Sequence, residues 1–175
     1  MTSSCLPVSA ADVLAFWKEA GPDKWFSKDA HFDASFHERF FELHFMAARR
    51  ELDSWANSTE SCLALLLLLD QFPRNCFRGT AHMYATDPLA LYYAGQALAK
   101  GLDQQIDEKL RIFFYLPHMH SENLEDQELC CKLCEPLGER YLPFAIEHRD
   151  IVRQFGRFPH RNDCLLPQTT PEEET

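Results

Sequence analysis

Apolar residues recur at helical spacing along almost the whole chain, and no segment shows the convincing alternation of apolar and polar residues that is typical of a β-strand. The clearest series has steps of four and three residues and predicts a long amphipathic helix over residues 29–51. Its apolar face consists of Phe32, Phe36, Phe40, Leu43 and Ala47. The same spacing in the remaining segments predicts an all-α fold.

Capping residues, prolines and glycines divide the chain into about seven helices. Asp87 followed by Pro88 is a typical helix start, with a capping carboxylate before a proline in the first turn. Pro73 disfavours helical geometry in the residue before it, so the third helix is expected to end near Gln71. Short connections favour antiparallel pairs of helices. The predicted helices cover roughly residues 9–17, 29–51, 58–71, 87–100, 107–117, 124–137 and 144–155.

The third predicted helix occupies a special place in this fold. Its stretch Leu63–Leu69 is apolar on every side, so the helix must be surrounded by the others. We therefore expect one helical domain over residues 1–166 around this helix. Residues 167–175 are polar and acidic, which predicts a loose C-terminal tail.

Composition and charge narrow the class of partner and the compartment. The chain carries 17 Lys and Arg against 27 Asp and Glu, a formal net charge of −10, which does not favour binding to nucleic acid. Its longest apolar run is far shorter than the roughly 18–20 residues that span a membrane. Residues 1–20 lack a signal-peptide pattern, and the odd number of cysteines does not fit a disulfide framework, so a cytoplasmic location is expected.

Three segments interrupt the amphipathic pattern with dense polar groups. The first, residues 70–80, directly follows the most apolar helix. Asp70 is therefore expected to lie at the edge of the core and not on a solvated face. A carboxylate in that place needs a partner, and Arg74 and Arg78 are the nearest candidates in sequence. The segment is therefore either a helix end held by Asp–Arg hydrogen bonds or an arginine pair that binds a carboxylate or phosphate.

The second segment runs from His118 to Glu122 and is followed by Asp126. His118 and Glu122 share a face if the backbone is helical, whereas His118 and His120 share one if it is extended. Nitrogen and oxygen ligands of this kind suit a divalent metal, but helix capping and packing explain the same residues. No cofactor is predicted, and His118, His120 and Glu122 are the only metal candidates.

The third segment begins at His148, which lies on the apolar stripe of the last helix and is expected to point inward. It ends in a turn, residues 158–162, that resembles the turn at residues 72–75, since both carry Phe-Pro, arginine and asparagine. If the two turns meet, their arginines form a local positive pocket for a small anion. The ligand-binding residues predicted on this basis are Asp70, Gln71, Arg74, Asn75, Arg78, Arg157, His160, Arg161 and Asn162. The acid–base groups predicted for the same pocket are His120, Glu122, Asp126 and His148.

The same segments resemble a known family over nearly the whole chain. The motifs that carry the resemblance include Trp25-Phe26, Leu69-Asp-Gln-Phe-Pro-Arg-Asn75, Phe77-Arg-Gly-Thr80, Met119-His-Ser-Glu122, His148-Arg-Asp-Ile151 and Phe155-Gly-Arg-Phe-Pro-His-Arg-Asn162. They are similar to the domain of unknown function 924 family. The resemblance implies a tetratricopeptide-like fold, here a helical bundle or short solenoid, in a largely bacterial family. It implies no reaction and no catalytic residues.

Two functions fit these observations. The first is a helical binding protein that takes a small anionic ligand or a peptide in an Arg/His/Asp-lined pocket. The alternative is an enzyme, a hydrolase or group transferase, that uses His120 or His148 with Glu122 or Asp126, with or without a metal. The sequence contains no nucleophile elbow, phosphate-binding loop or zinc-protease motif, which favours the binding protein.

Overall fold

The computed structural model describes residues 8–165 and 169–173, and every regular element in these ranges is helical. Short 3₁₀ segments connect several α-helices, and one π-helical turn, Leu67–Gln71, follows α4. The α-helices are α1 (Ala10–Ala20), α2 (Pro22–Trp25), α3 (Ala30–Ala48), α4 (Thr59–Leu66), α5 (Phe72–Cys76), α6 (Asp87–Ala99), α7 (Glu108–Met119), α8 (Leu124–Cys134), α9 (Leu142–Phe155) and α10 (Asn162–Leu165). The all-α prediction is confirmed for the described residues.

The packing of α4 explains its apolar sequence. It contacts α1, α6 and α7, and Leu63 to Leu69 are all fully buried or nearly so. In α3 the predicted stripe also faces the core, where Phe36 and Phe40 are fully buried. The later helices pack in chain order, with α6 against α7, α7 against α8 and α8 against α9. The prediction of a central third helix is confirmed.

The central helix does not end where Pro73 predicts. After α4 the chain passes through the π-helical turn Leu67–Gln71 and continues as α5, in which Pro73 occupies the first turn. A π-turn widens the backbone by one residue, and such turns occur frequently at functional sites. The helical prediction to Gln71 was therefore too short, and the difference lies in the segment that carries Asp70.

Groups from outside the helix satisfy the carbonyls that this turn leaves without a backbone donor. Pro73 has no N–H for the carbonyl of Leu69, and the Thr86 hydroxyl donates to that carbonyl instead. The Nδ1 of buried His44 donates to the preceding carbonyl, that of Leu68, at 2.9 Å. Because both donors are distant in sequence, the turn depends on tertiary contacts that local patterns do not reveal.

The apolar stripe of α9 is only partly buried. Ala145 and Val152 pack against the core, but Phe144 is 56% exposed. A second aromatic residue, Phe26, is 54% exposed although it stacks on Phe113 with ring centroids 5.8 Å apart. The two exposed rings line the mouth of a cavity. The apolar stripe of α9 therefore contributes to the wall of this cavity as well as to the core.

Residues 1–7, 166–168 and 174–175 lie outside the described residues. The predicted domain limits at residues 1 and 166, and both ends of the predicted tail, fall among them. Within the described ranges, no helix is long and apolar enough to cross a membrane.

Candidate functional site

Asp70 is a buried carboxylate on the π-helical turn. Its Oδ1 accepts a hydrogen bond from His120 Nδ1 at 2.7 Å, and its Oδ2 accepts one from Gln71 Nε2 at 2.6 Å. The Arg74 guanidinium lies 3.3 Å from Oδ1. Burial by itself would raise the pKa of Asp70, but the charges of Arg74 and His120 outweigh burial and hold that pKa well below its ordinary value. The ionised carboxylate therefore fixes the orientation of the His120 ring.

Asp87 joins the two arginine-bearing turns. Both of its oxygens accept hydrogen bonds from Arg74, at 2.7 and 2.9 Å, and Arg161 Nη2 lies 3.5 Å from Oδ2. The same Nη2 donates to the carbonyl of His120 at 2.7 Å, and the guanidinium stacks 4.6 Å from the Tyr84 ring centroid. The turns after α4 and α9 thus meet beside the histidine segment.

This arrangement explains why Asp87 does not cap α6. The helix begins at Asp87, and its N-cap position is occupied by Thr86 without a capping hydrogen bond from a side chain. The capping prediction was wrong because the carboxylate is used by two arginines from other elements. The start of the helix at Asp87 and the position of Pro88 in its first turn agree with the sequence pattern.

The remaining two arginines bind elsewhere. Arg78 Nε lies 3.2 Å from Asp33 Oδ2, and Asn75 Nδ2 donates to Asp33 Oδ1 at 2.7 Å. Arg157 donates to both oxygens of Glu173, at 2.8 and 3.0 Å, which lowers the pKa of Glu173 to about 2. One positive pocket made of four arginines does not form, because this acidic chain supplies a carboxylate to each of them.

A cavity of about 520 Å³ opens beside the buried charges, and we call it the large cavity to distinguish it from the smaller one of about 310 Å³ that shares His120 with it. A separate cavity of about 560 Å³ lies along α3, away from these charges. The size of the large cavity falls within the range of small-molecule sites. Its wall combines arginines, aromatic rings and histidines, namely Arg74, Arg78, Arg140, Trp25, Phe26, Tyr141, Phe144, His120 and His148. Within the described ranges, no Asp or Glu side chain lines it. The wall therefore presents cations and apolar surface together.

Arg140 and Tyr141 form the least satisfied part of this wall. Arg140 stacks 5.4 Å from the Tyr141 ring centroid, and no carboxylate of the described residues pairs with it. The Tyr141 hydroxyl is buried and has no hydrogen-bond partner in the described part of the chain. Burial raises the pKa of Tyr141, so its hydroxyl stays protonated and able to donate. Both groups lie just after Gly138, whose φ of 68° and ψ of −156° kink the chain between α8 and α9.

His120 and His148 face each other across one end of the large cavity, with ring centroids 6.5 Å apart. His148 Nδ1 donates to the carbonyl of Phe144 at 2.8 Å, one turn earlier in α9. Burial lowers the pKa of His148, which favours its neutral form at pH 7. Two imidazoles are therefore held in defined orientations at the same place.

Glu122 and Asp126 lie apart from the large cavity. Glu122 Oε1 accepts from the backbone N–H of Phe158 at 2.9 Å, on the wall of a smaller cavity of about 310 Å³ that also contacts His120. Asp126 accepts from the Ser121 hydroxyl at 2.7 Å. Both carboxylates thus hold the connection between α7 and α8. Among the described residues, no three His, Cys, Asp or Glu side chains are placed so that together they could hold a metal ion.

The structure divides the predicted residues into three groups. Those that line the large cavity are Gln71, Arg74, Asn75, Arg78, His120 and His148. Those that support it from behind or lie on the smaller cavity are Asp70, Glu122 and Arg161. Those that do not contact either cavity are His118, Asp126, Arg157, His160 and Asn162.

The contributions of Arg140, Tyr141 and the aromatic wall to the cavity were not predicted from the sequence. Trp25 and Phe26 were visible only as part of the family resemblance, and Phe144 only as part of an apolar stripe. Arg140 and Tyr141 occupy the connection between two helices and match no pattern. Their proximity to residues 70–78 is a tertiary contact, so a single sequence carries no signal for it.

Comparisons with known proteins agree on one family. A family model described as a bacterial protein of unknown function (DUF924) matches residues 13–175. A solved structure of a protein of unknown function from Agrobacterium tumefaciens is 64% identical, covers 94% of each chain and superimposes with a TM-score of 0.93. No curated protein matches the chain. These matches establish a relationship and a fold, and none of them names an activity.

Proposed function

The chain belongs to the bacterial DUF924 family, and from the geometry of its site we propose that the large cavity binds a small anion that carries an apolar body. The observation that carries the proposal is the pair formed by Arg140 and Tyr141. Among the residues that the structure describes, the guanidinium of Arg140 has no carboxylate partner and the neighbouring buried hydroxyl of Tyr141 has no acceptor. One anionic oxygen satisfies both groups at once.

The energetics of the hydroxyl support a ligand at this place. A buried hydrogen-bond donor that finds no acceptor costs about 1–3 kcal/mol. A carboxylate or phosphate oxygen between Arg140 and Tyr141 removes that cost and adds a charge-assisted bond. Nearby Arg78, whose side chain is 36% exposed, adds a second donor despite its bond to Asp33.

The aromatic wall supports an apolar body on the ligand. Phe26 and Phe144 are each more than half exposed at the mouth, and Trp25 continues the wall inward. Burying such rings against a ligand is favourable by about 25 cal/mol for each Å² of apolar surface. A cavity of this volume encloses a small molecule more completely than a length of peptide.

Two further parts of the interpretation belong to the proposal. The packing of α6, α7, α8 and α9 in chain order supports tetratricopeptide-like antiparallel pairs, with the large cavity beside the last pair. A cytoplasmic location remains the expectation from the sequence.

Calorimetric titration with 2-naphthoate and with its neutral isostere 2-naphthamide tests the binding function. We expect 2-naphthoate to bind and 2-naphthamide to bind at least about tenfold more weakly, since a charge-assisted hydrogen bond contributes roughly 1.5–3 kcal/mol. The Arg140→Gln variant should lose this preference, whereas Arg153→Gln, an arginine on the outer face of α9, should keep it.

A matched pair of alanine variants tests whether the aromatic wall contacts the apolar part of the ligand. Phe144→Ala should weaken binding of 2-naphthoate, while Ile146→Ala, an exposed apolar position on the same helix that does not line the cavity, should leave it unchanged. Equal affinity for naphthoate and naphthamide, or equal effects of the two alanine variants, would contradict the proposed function.

A further inference from the structure

His120 is oriented so that its second ring nitrogen remains available. Its Nδ1 donates to the buried carboxylate of Asp70 at 2.7 Å, which leaves the lone pair on Nε2. His120 lines both cavities, and its Nε2 makes no hydrogen bond to a described residue. The bond to Asp70 thus fixes the ring through one nitrogen and leaves the other free to exchange a proton.

His148 repeats this arrangement on the opposite wall. Its Nδ1 is occupied by the carbonyl of Phe144, and its ring centroid lies 6.5 Å from that of His120. Burial lowers the pKa of His148, whose Nδ1 is bonded only to a neutral backbone carbonyl, whereas Nδ1 of His120 is bonded to the buried carboxylate of Asp70. The environments therefore suit His148 to accept a proton and His120 to donate one.

Resting on the proposed binding function, we propose that the large cavity hydrolyses a phosphodiester bond in its ligand, with His148 as the base and His120 as the acid. His148 Nε2 takes a proton from water while the water oxygen forms a bond to phosphorus. The bond between phosphorus and the leaving oxygen breaks, and that oxygen receives the proton of His120. The products are a phosphomonoester and an alcohol, one water is consumed, and no oxidant or reductant takes part.

The wall of the cavity favours phosphoryl transfer over other hydrolyses. Arg74, Arg78 and Arg140 line it, and guanidinium groups stabilise the charge on phosphoryl oxygens. Arg74 and Arg78 are held by Asp87 and Asp33 behind the wall, whereas Arg140 has no carboxylate partner among the described residues. In the described part of the chain, no serine, threonine or cysteine side chain bonds to either imidazole, so water is the attacking group. Asp70 does not reach the ligand and acts as a positioning residue.

The protonation of the two histidines depends on the charged groups around them. Besides each other, the groups that face the pair are Asp70, Arg74, Arg161, Glu122, Glu147 and His160. An acid and a base with separate environments predict a bell-shaped dependence of kcat on pH. Asp70→Asn should shift the limb that reports His120, a change that loss of stability alone does not produce.

Hydrolysis of bis(4-nitrophenyl) phosphate, followed by release of 4-nitrophenolate in the presence of EDTA, tests this inference. The probe combines one anionic phosphodiester with two aromatic rings. We expect His148→Gln to lower kcat at least about a hundredfold, and His120→Gln to lower it by a smaller factor, because 4-nitrophenolate leaves with little need of a proton. His31→Gln, which replaces an exposed histidine at the start of α3, should retain the wild-type rate. Thermal unfolding of each variant identifies those that remain folded.

The outcomes separate this inference from the binding function. Binding of 2-naphthoate without hydrolysis of the probe, hydrolysis that EDTA abolishes, or faster hydrolysis of neutral 4-nitrophenyl butyrate would overturn the phosphodiesterase assignment and leave the binding function intact. Failure to bind 2-naphthoate would overturn both. If Asp70→Asn unfolds, His148→Gln alone decides, because His148 is half-buried and makes a single hydrogen bond to its own helix.

Discussion

Replacing Asp87 with asparagine tests the buried charges that hold the two turns together. Asp87 is only 13% exposed and accepts two hydrogen bonds from Arg74, at 2.7 and 2.9 Å. Asparagine keeps one acceptor oxygen and turns an NH₂ group towards a guanidinium donor. The variant therefore loses one charge-assisted bond, at about 1.5–3 kcal/mol, and leaves Arg74 and Arg161 with less compensation for their burial.

Together these effects predict a loss of about 3 kcal/mol in the free energy of unfolding for Asp87→Asn. For a domain of this size that corresponds to a fall of about 6–12 °C in Tm. Urea and thermal unfolding measure both quantities. Asp150→Asn is the matched control, because Asp150 also contacts two arginines but its side chain is 52% exposed. Equal small effects of the two variants would refute a buried ion pair at Asp87.

Three further predictions concern the surroundings of the site. Tyr141→Phe should leave Tm unchanged or raise it, because no described residue forms a hydrogen bond with the buried hydroxyl; a fall in Tm would reveal an acceptor. The fold should lose about 3 kcal/mol as the pH falls from 6.5 towards 4, since burial lowers the pKa of His44 to about 4 and the unfolded chain takes up that proton first. Urea unfolding against pH should show a shallower slope for His44→Gln, and an unchanged slope would exclude His44 as the cause. Gln127→Leu should cost about 2 kcal/mol in urea unfolding, because its amide donates to the carbonyls of Met119 and Ser121 in the turn before α8; an unchanged midpoint would show that these bonds contribute nothing.

Periodicity predicted the seven helices of eight or more residues among the described residues, α1, α3, α4 and α6 to α9, because each is long enough to show a repeat. It did not predict the short helices α2, α5 and α10, which have four or five residues each. The apolar spacing of α3 and the all-apolar α4 correctly indicate which faces are buried. The helix end predicted from Pro73 was wrong, because the π-helical turn that accommodates this proline depends on hydrogen bonds from Thr86 and His44, both distant in sequence. The proline alone predicts that the helix ends there, and tertiary hydrogen bonds allow the helix to continue.

The candidate site was predicted in part for the same reason. The pairing of Asp70 with Arg74 is one helical turn apart and was visible in the sequence. The partner of Asp70 in the cavity, His120, is 50 residues away, and Arg140 lies on a connection without any motif. The partners of Arg78 and Arg157 could not be predicted either, because an acidic chain offers many carboxylates and a single sequence does not indicate which of them pairs with which arginine.

A crystal structure of the chain grown with 2-naphthoate would show which residues hold the ligand. We expect its carboxylate to lie within hydrogen-bond distance of both Arg140 and the Tyr141 hydroxyl, and its rings to lie between Phe26 and Phe144. A ligand seated on another surface, or a carboxylate that avoids Arg140 and Tyr141, would contradict this expectation.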